Sequence, residues 1–397
     1  MTHITMKRFL TPFSLLAMLL LAACGSDDNT EPPAELVAIQ PEAAIEEHWS
    51  AEPHAGIAQQ YLFLEPLWLD GILVTAGREG RIAVVNSSSG EIIRETRLEL
   101  PLSAGVGGNA ELWLVASRDG EVIAIDPASA QVKWKKAVPS EVLASPVVAA
   151  GAVIVRTVDG HVLSLDSRDG SLNWSHDKVL PPLTLRGMSK PVLTRDSVII
   201  GQENGRVIAL ELDSGKLLWD VALSVPRGRS EIQRLVDIDG QAALYGRLLY
   251  AVGYQGRVAA IDVTNGQFSW ARSFSSETGV SVDDQAVYVT DERGHVWALD
   301  RFNGATLWKQ DALTARQVTR PVIAGDYLLV GDYAGVLHVL SRADGHFVAR
   351  EQLGSEGNGI FMPPLFRDGR IIVSLREGGI YALGINSLIN TADSGKP

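Results

Sequence analysis

A repeated unit that fills most of the 397-residue chain constrains its fold more than any other feature. The unit reads glycine, three residues, alanine, an aliphatic residue, aspartate, three residues, glycine, three residues and tryptophan. It is clearest from Gly160 to Trp174, where Ser164 replaces the alanine, and from Gly256 to Trp270. Its leading glycines are Gly80, Gly120, Gly160, Gly205, Gly256, Gly294, Gly335 and Gly378. A period of about 40 residues made of β-type units indicates the blades of a β-propeller.

The less regular copies keep this spacing and change single residues. The copy from Gly120 has Ala130 in place of the second glycine. The copies from Gly80 and Gly335 have Arg94 and Ala349 where the others have tryptophan. We attribute these changes to the drift that is usual among blade repeats, and we count all eight units as blades.

Each unit is expected to form four antiparallel strands. In the third unit these are residues 146–148, 152–158, 161–166 and 171–176, and the second of them is rich in β-branched residues. Asp159-Gly160 forms a tight turn between the second and third strands, where glycine accepts the positive φ that the turn needs. Glycines interrupt the chain too often for a helical period. The sequence therefore predicts an all-β protein, an eight-bladed β-propeller of four-stranded antiparallel blades.

The recurring aspartate and tryptophan have structural interpretations. An aspartate precedes the turn between the third and fourth strands of most units, here called the second turn. It is expected to accept hydrogen bonds from backbone amides of that turn, in preference to a catalytic role. Each tryptophan is expected to dock between blades, with a large buried face and a partner for its N–H.

The two ends of the repeat region predict how the ring closes. The eighth unit stops after its third strand, because no tryptophan follows Gly384. The segment Ile45–Ser50 contains Trp49 and has no partner of its own. We expect this amino-terminal strand to complete the last blade and to remove an exposed sheet edge. The propeller then covers residues 45–385, and residues 386–397 form a carboxy-terminal tail.

The first residues have the pattern of a signal peptide over residues 1–23. Lys7 and Arg8 precede the apolar segment Phe9–Leu21, which is too short to span a bilayer comfortably. Two alanines before Cys24 resemble a bacterial lipobox, so Cys24 is predicted to carry a covalent lipid rather than a free thiol. Gly25 in place of aspartate favours the outer membrane, by resemblance to lipoprotein sorting rules. Residues 24–44 are polar and contain proline, which predicts a flexible tether in the periplasm.

Charge and cysteine content limit the partners and the cofactors. The chain has a formal net charge of −12, and residues 1–23 carry two positive charges and no acid, so the processed chain has a charge of −14. This balance argues against nucleic acid and against an anionic lipid surface as partners. Cys24 is the single cysteine, which excludes an intrachain disulfide.

The repeat resembles that of pyrroloquinoline-quinone dehydrogenases, which is a statement about fold and not about chemistry. Those enzymes typically have longer chains, bind quinone and calcium in the central funnel, and in many cases stack the quinone on a disulfide that this chain cannot form.

The combination of lipobox, tether and eight blades in about 400 residues resembles the BamB family, lipoprotein subunits of the outer-membrane β-barrel assembly machinery. The segments Leu183–Gly187 and Arg234–Gly240 are similar to the family's surface for BamA, the barrel subunit. The residues carried over from this resemblance are Leu183, Leu185, Arg186, Asp237 and Asp239. The resemblance implies a scaffold without cofactor that binds BamA, and it leaves unfolded outer-membrane proteins as a further partner.

The repeat register supports the same surface independently. The two longest repeat intervals contain the two segments, and insertions in repeats fall in loops that often lie on the binding face. Both segments precede a first strand, so both should emerge at the same end of neighbouring blades. Two alternatives stay open: the leucines pack into their own blade, or Asp237 and Asp239 cap turns. Leu248 stands where a calcium-binding EF-hand loop would need glutamate, so that interpretation fails.

Motifs for catalysis are missing from the sequence. We find no His-Glu-x-x-His, no Gly-x-Ser-x-Gly and no phosphate loop, and no set of metal ligands is predicted. The prediction is therefore a protein that is not an enzyme. The alternative from another class is a small quinone-dependent oxidoreductase of the periplasm.

Overall fold

The structure is a computed structural model, which describes residues 31–58, 60–177, 187, 189–227, 229–230 and 234–388. The described residues form 32 strands arranged as eight four-stranded antiparallel sheets. None of them forms a helix long and apolar enough to cross a membrane. The predicted eight-bladed all-β propeller is confirmed.

The strands follow the blades in chain order. The first four blades contain β2 (Leu67–Leu69), β3 (Ile72–Ala76), β4 (Arg81–Asn86), β5 (Ile92–Arg97); β6 (Leu102–Gly108), β7 (Trp113–Ser117), β8 (Glu121–Ile125), β9 (Val132–Ala137); β10 (Val147–Ala149), β11 (Ala152–Arg156), β12 (Val162–Asp166), β13 (Leu172–His176); and β14 (Val192–Leu193), β15 (Ser197–Gly201), β16 (Arg206–Glu211), β17 (Leu217–Ala222).

The last four blades contain β18 (Ala243–Tyr245), β19 (Leu248–Val252), β20 (Gly256–Asp262), β21 (Phe268–Phe274); β22 (Val280–Val282), β23 (Ala286–Thr290), β24 (Val296–Asp300), β25 (Thr306–Gln310); β26 (Val322–Ala324), β27 (Tyr327–Gly331), β28 (Val336–Ser341), β29 (Phe347–Gln352); and β30 (Leu365–Arg367), β31 (Arg370–Ser374), β32 (Ile380–Ser387) with β1 (Ala43–Ala51).

The apolar core lies between the blades. The second and third strands of a blade are buried almost throughout, as β11 and β12 show, because neighbouring blades cover both of their faces. Fourth strands such as β13 are mostly exposed and bury only the tryptophan. Each of the eight junctions has its own cluster of buried side chains among the described residues, and the junction of the last and first blades is one of them. The ring is therefore closed by packing as well as by strand pairing.

The recurring aspartates and tryptophans have the predicted roles. The Asp166 carboxylate accepts a hydrogen bond of 2.8 Å from the Arg168 amide in the second turn, and the Arg168 side chain and amide lower the pKa of Asp166 to about 2. The Trp174 indole is 9% exposed and donates to the Leu212 carbonyl of the next blade at 2.9 Å. These contacts hold the turns and lock consecutive blades together.

The amino-terminal strand completes the last blade, as predicted. Strand β1 pairs with β32 in antiparallel fashion from Ala43 opposite Ser387 to Ala51 opposite Ile380. The strand begins two residues before the predicted boundary at Ile45. Residues 34–42 also contact the ring, since the Ala34 amide donates to the Thr314 carbonyl at 2.9 Å and Leu36 packs against an apolar cluster. The predicted flexible tether of residues 24–44 therefore does not extend beyond residue 33, because these backbone and apolar contacts fix residues 34–42 to the ring.

The missing tryptophan at Ala349 follows from this closure. The eighth blade takes its fourth strand from the amino terminus, so it has no turn between its third and fourth strands. A tryptophan side chain on β29, the last strand of the seventh blade, would therefore have no turn to dock on. Ala349 is 2% exposed and belongs to the same apolar cluster as Ala43. The Glu42 amide donates to the Val348 carbonyl at 2.9 Å. The small residue makes room for the chain that enters β1.

Candidate partner-binding site

Gly187 of the first predicted segment and Asp237 and Asp239 of the second lie at one end of the ring, here called the upper face, which also carries Arg156 and Glu203. In an antiparallel blade, the turn from the second to the third strand and the connection to the next blade lie at the same end. Arg156 ends β11, Glu203 follows β15, and Asp239 precedes β18. The upper face therefore brings together residues from the third, fourth and fifth blades.

A buried ion pair forms the centre of this site. The Nη2 atom of Arg156 donates to the Oε1 atom of Glu203 at 2.5 Å, and these side chains are 3% and 2% exposed. Burial by itself lowers the pKa of Arg156, but Glu203, Asp239 and Asp237 outweigh it and raise that pKa above its usual value. The guanidinium therefore stays charged and holds three carboxyl groups around it. We call Arg156, Glu203, Asp237 and Asp239 the charge cluster.

The two aspartates of the charge cluster do not have ordinary acidities. Burial raises the pKa of Asp237, and the neighbouring Asp239 and Glu203 raise it further. Burial also raises the pKa of Asp239, while Arg156 opposes the shift. Both shifts favour the protonated, neutral form of the two carboxyl groups. The cluster thus holds less negative charge at neutral pH than its three acids would suggest.

Direct hydrogen bonds join the residues that follow the first predicted segment to the second segment and its neighbour Gln241. The Ser189 hydroxyl accepts from Arg156 at 2.9 Å and donates to the Ile238 carbonyl at 3.2 Å. The Lys190 amide donates to the side chain of Gln241 at 3.0 Å. Ser189 and Lys190 therefore lie against residues 238–241, at the same end of neighbouring blades.

Gly187 lies directly over the charge cluster. A Cβ atom on Gly187 would lie 2.4 Å from Nη2 of Arg156 and 2.8 Å from Oδ1 of Asp239. No ordinary side chain fits there, so the first segment reaches the cluster through bare backbone. Glycine at this position is required by close approach.

A cavity of about 400 Å³ opens beside the cluster in the centre of the upper face. Its apolar wall contains Tyr61, Leu62, Phe63, Leu143 and Phe361, and its polar wall contains Lys190, Asp239, Glu277 and Arg320. The Lys190 ammonium pairs with the Glu65 carboxylate across this space. Asp239 therefore faces the cavity, whereas Asp237 is fully enclosed, with 0% exposure.

The predicted site residues divide into two groups. Leu183, Leu185 and Arg186 lie outside the described residues, as does Cys24. Asp237 and Asp239 lie within the charge cluster. Asp237 also binds backbone, because its Oδ1 atom accepts from the Ile238 amide at 2.7 Å, as the turn-capping alternative expects.

Sequence reasoning missed Arg156, Glu203 and Ser189. A signal for Arg156 was present, since a charged residue ends an otherwise apolar strand, Val153-Ile154-Val155, where burial demands a partner. The identity of that partner was not readable, because Glu203 lies 47 residues away on another blade.

The chain is similar in sequence to a family of known proteins. A sequence model of the family described as outer membrane protein assembly factor BamB matches residues 78–310 and 302–390. The outer membrane protein assembly factor BamB of Bordetella pertussis is 34% identical over 376 residues, which cover 94% of this chain and 96% of that protein. The protein of the same name from Pseudomonas aeruginosa is 38% identical over 87% of this chain and 91% of its own length.

Solved structures give the same result for the fold. The crystal structure of BamB from Moraxella catarrhalis has a TM-score of 0.78 and 26% identity, over 86% of this chain and all of that chain. The two sequence matches and the family model cover far more than half of the chain. It therefore belongs to the family of the outer membrane protein assembly factor BamB.

Proposed function

We propose that this chain assists the assembly of outer-membrane proteins as a scaffold without catalytic activity, and that it binds BamA through the upper face. Its relatives are named as outer membrane protein assembly factors. The observation that carries the proposal is the pair of hydrogen bonds that fix Ser189 and Lys190 against residues 238–241 beside the charge cluster. A surface built from two separate loops needs such a fixed arrangement to present a constant shape to a partner.

The residues have different tasks in this proposal. Leu183, Leu185 and Arg186 contact BamA, because an apolar pair beside arginine is typical of interface hot spots. Asp237 is fully enclosed, so it acts by shaping the loop and not by touching the partner. Asp239 lies at the cavity and is available to a cationic group of BamA or to Arg186.

The proposal places the chain at the outer membrane through lipid on Cys24, with the propeller in the periplasm. Residues 24–33 would separate the lipid from Ala34, whose amide donates to the ring at Thr314. A lipid anchor and a partner-binding face at the ring's upper end together confine the protein to the membrane surface where BamA works.

No cofactor is part of the proposal. The alternative, a quinone-dependent oxidoreductase, predicts a visible absorption band and dye reduction after addition of quinone and calcium to the purified protein. We expect neither. The appearance of both would replace the scaffold function with a redox one.

The decisive experiment is a quantitative titration of BamA with the processed full-length protein. We expect Arg186→Ala and Asp239→Ala each to weaken binding by roughly thirtyfold, which corresponds to about 2 kcal/mol for a hot-spot residue. The matched control is Asp126→Ala, which removes an acid of the same kind from a blade turn, where it accepts from the Ser129 amide at 2.8 Å.

Circular dichroism must show that each variant keeps the native β-sheet signal. Binding of BamA that is unchanged in both upper-face variants would contradict the proposed surface. So would an equal loss of binding in the Asp126→Ala control.

A further inference from the structure

The junction between the first and second blades departs from the rule that six of the other seven junctions follow. At six junctions of the described ring, an indole from the fourth strand of one blade donates to a backbone carbonyl in the second turn of the next blade. The pairs are Trp49 with Ser87, Trp134 with Ser167, Trp174 with Leu212, Trp219 with Val263, Trp270 with Arg301 and Trp308 with Arg342. Between the first two blades, Arg94 has the position of the indole.

Arg94 replaces the hydrogen bond of the missing tryptophan but not its volume. Its Nη1 atom donates to the Pro127 carbonyl at 3.1 Å and to the Ala128 carbonyl at 2.7 Å. Pro127 is the residue that corresponds to Ser167 in the next blade. A guanidinium on an extended stem covers less of the junction than an indole ring, so space is left beside it.

Ala130, in the second turn of the second blade, is another change at the same junction. The other second turns have glycine at this position, and a Cβ atom there would lie only 2.5–2.8 Å from the docked indole ring. Ala130 has that Cβ atom and still adopts the left-handed conformation, with φ of 55°. An indole on β5 would therefore clash with Ala130. The two changes form a matched pair and leave the junction open.

The open space is a cleft of about 520 Å³ on the lower face, the end of the ring that carries the second turns. We call it the blade 1–2 cleft, and its apolar lining is Leu69, Ile72, Val84, Trp113 and Pro127. An apolar cavity of roughly 150 Å³ already admits benzene. The cleft is therefore large enough for an aromatic side chain with part of its backbone, and it lies at the opposite end of the strands from the charge cluster.

A buried donor without a partner lines this cleft. Trp113 is 2% exposed, and its indole nitrogen has no hydrogen-bond acceptor among the residues that the structure describes. Buried donors in native proteins are normally paired, because an unpaired one destabilises the fold. The N–H of Trp113 is therefore a donor that the described residues of the fold leave without an acceptor.

We propose that the blade 1–2 cleft binds an aromatic side chain of another polypeptide. At six other junctions this fold fills the corresponding space with an indole that is carried on a strand, so a polypeptide-borne ring is the group that fits. The ring packs on the apolar lining, and a carbonyl of the same peptide accepts from Trp113.

The rim of the cleft indicates the charge of that polypeptide. Arg94 and Arg367 both line the opening, and Asp70 and Asp368 both pair with Arg367. Arg94 donates to the Pro127 and Ala128 carbonyls and pairs with no carboxylate of the described residues, so it supplies a positive charge at the rim, although the chain as a whole is negative. We therefore infer an aromatic residue within an acidic segment. This site is separate from the upper face and does not depend on the binding of BamA.

The test uses the processed full-length protein and a short blocked peptide that contains one tryptophan between acidic residues. We expect saturable binding in calorimetry and a shift of the Trp113 indole N–H resonance in nitrogen-edited NMR. A peptide with alanine in place of tryptophan should not bind. Free N-acetyltryptophanamide should bind at least tenfold more weakly than the peptide, because it lacks the acidic flanks.

Two variants make the test specific. Arg94→Trp with Ala130→Gly restores the regular junction, so it should fill the cleft, abolish peptide binding and keep or raise the melting temperature. Lys133→Trp adds the same indole to an exposed site on β9 and should bind the peptide like the unmodified protein. Trp113→Phe removes the donor together with part of the ring that lines the cleft, and should weaken binding at least about tenfold, the effect of one hydrogen bond.

The proposal is overturned if the tryptophan peptide shows no saturable binding at millimolar concentration. It is equally overturned if Arg94→Trp with Ala130→Gly folds and still binds the peptide, or if free N-acetyltryptophanamide binds as tightly as the peptide. Should the double variant fail to fold, Trp113→Phe decides, since unchanged affinity in that variant contradicts the site.

Discussion

The indole nitrogen of Trp49 donates a hydrogen bond of 3.1 Å to the carbonyl oxygen of Ser87, and this bond connects the last blade to the first. Trp49 is 8% exposed and packs with Leu73 and Val85 of the first blade. Trp49 lies in β1, the first strand of the chain, so the amino-terminal end of the propeller closes the ring.

Trp49→Ala is therefore expected to destabilise the whole propeller. Truncation of a buried aromatic side chain costs about 3–5 kcal/mol, and the usual margin of stability is about 5–15 kcal/mol. Urea titration followed by circular dichroism measures the loss. Phe302→Ala is the control, because that aromatic side chain is 67% exposed and should change the free energy of unfolding little. Equal midpoints for Trp49→Ala and the unmodified protein would refute the closing role of this residue.

Arg156→Met should leave the acids of the charge cluster without their cation and lower the free energy of unfolding. Removal of one partner from a buried ion pair costs about 3–5 kcal/mol, since the remaining charge has no compensation. The matched control is Arg168→Met, which breaks an arginine–aspartate pair whose arginine is 85% exposed. Exposed pairs contribute about 0–1 kcal/mol. Denaturant titrations that give the same loss for both variants would show that the cluster is not a stabilising element.

The charge cluster also predicts a dependence of stability on pH. The pKa of Asp239 is raised from 3.8 in the unfolded chain to about 7 in the folded protein. The folded state thus binds the proton more tightly, so this residue lowers the free energy of unfolding as pH rises from about 4 to about 7. Asp239→Asn removes that loss. In denaturant titrations, the stability of the variant relative to the unmodified protein should increase across this window. A difference that is constant with pH would contradict the raised pKa.

His54 predicts a pH effect of the opposite sign. Its Nδ1 atom accepts a hydrogen bond from the Gly56 amide at 3.1 Å, which requires an unprotonated nitrogen. Burial lowers the pKa of His54 from 6.5 to about 4, against a smaller opposing effect of Glu79. The unfolded state therefore binds the proton more tightly, and stability should fall as pH drops from about 6.5 to about 4. Melting curves of His54→Gln should lack this component. An identical acid dependence in both proteins would show that His54 does not contribute.

Cys24→Ser tests the lipid anchor. The variant should accumulate as an unprocessed precursor or in the soluble fraction, because lipidation requires the thiol. Cell fractionation with mass spectrometry of the amino terminus measures both outcomes. The control is Ser26→Ala, a substitution two residues away that leaves the thiol in place. A Cys24→Ser protein that still sediments with outer membranes in cells without its partners would exclude the anchor.

The fold could be predicted because its determinants are local and repeated. A glycine such as Gly170 and a tryptophan such as Trp174 recur at fixed spacing, and most repeats make the same turn and the same junction. Trp49 could be placed in the last blade because one unit lacked its tryptophan. The first residue of β1 was misplaced by two positions, since a strand end is set by its pairing with β32 and not by its own sequence.

The site was only partly predictable, because its contacts join residues that are distant in the sequence and are not repeated. Asp237 and Asp239 were found through the length of a repeat interval, but their burial depends on Arg156 and Glu203, which meet them only after three blades have assembled. From the sequence alone, Arg94 is explained by drift among the repeats. In the structure it lies across a junction from Ala130, 36 residues later, and the two changes can be interpreted together.

Closure by β1 also has a mechanical consequence. Tension applied to the chain before Ala34 acts first on the contacts of residues 34–42 with the ring, such as the bond from the Ala34 amide to the Thr314 carbonyl. Once those contacts yield, a pull along the strand loads the pairing of β1 with β32 in shear, so that its backbone hydrogen bonds resist the force together. The amino-terminal segment and β1 therefore resist opening of the ring in series.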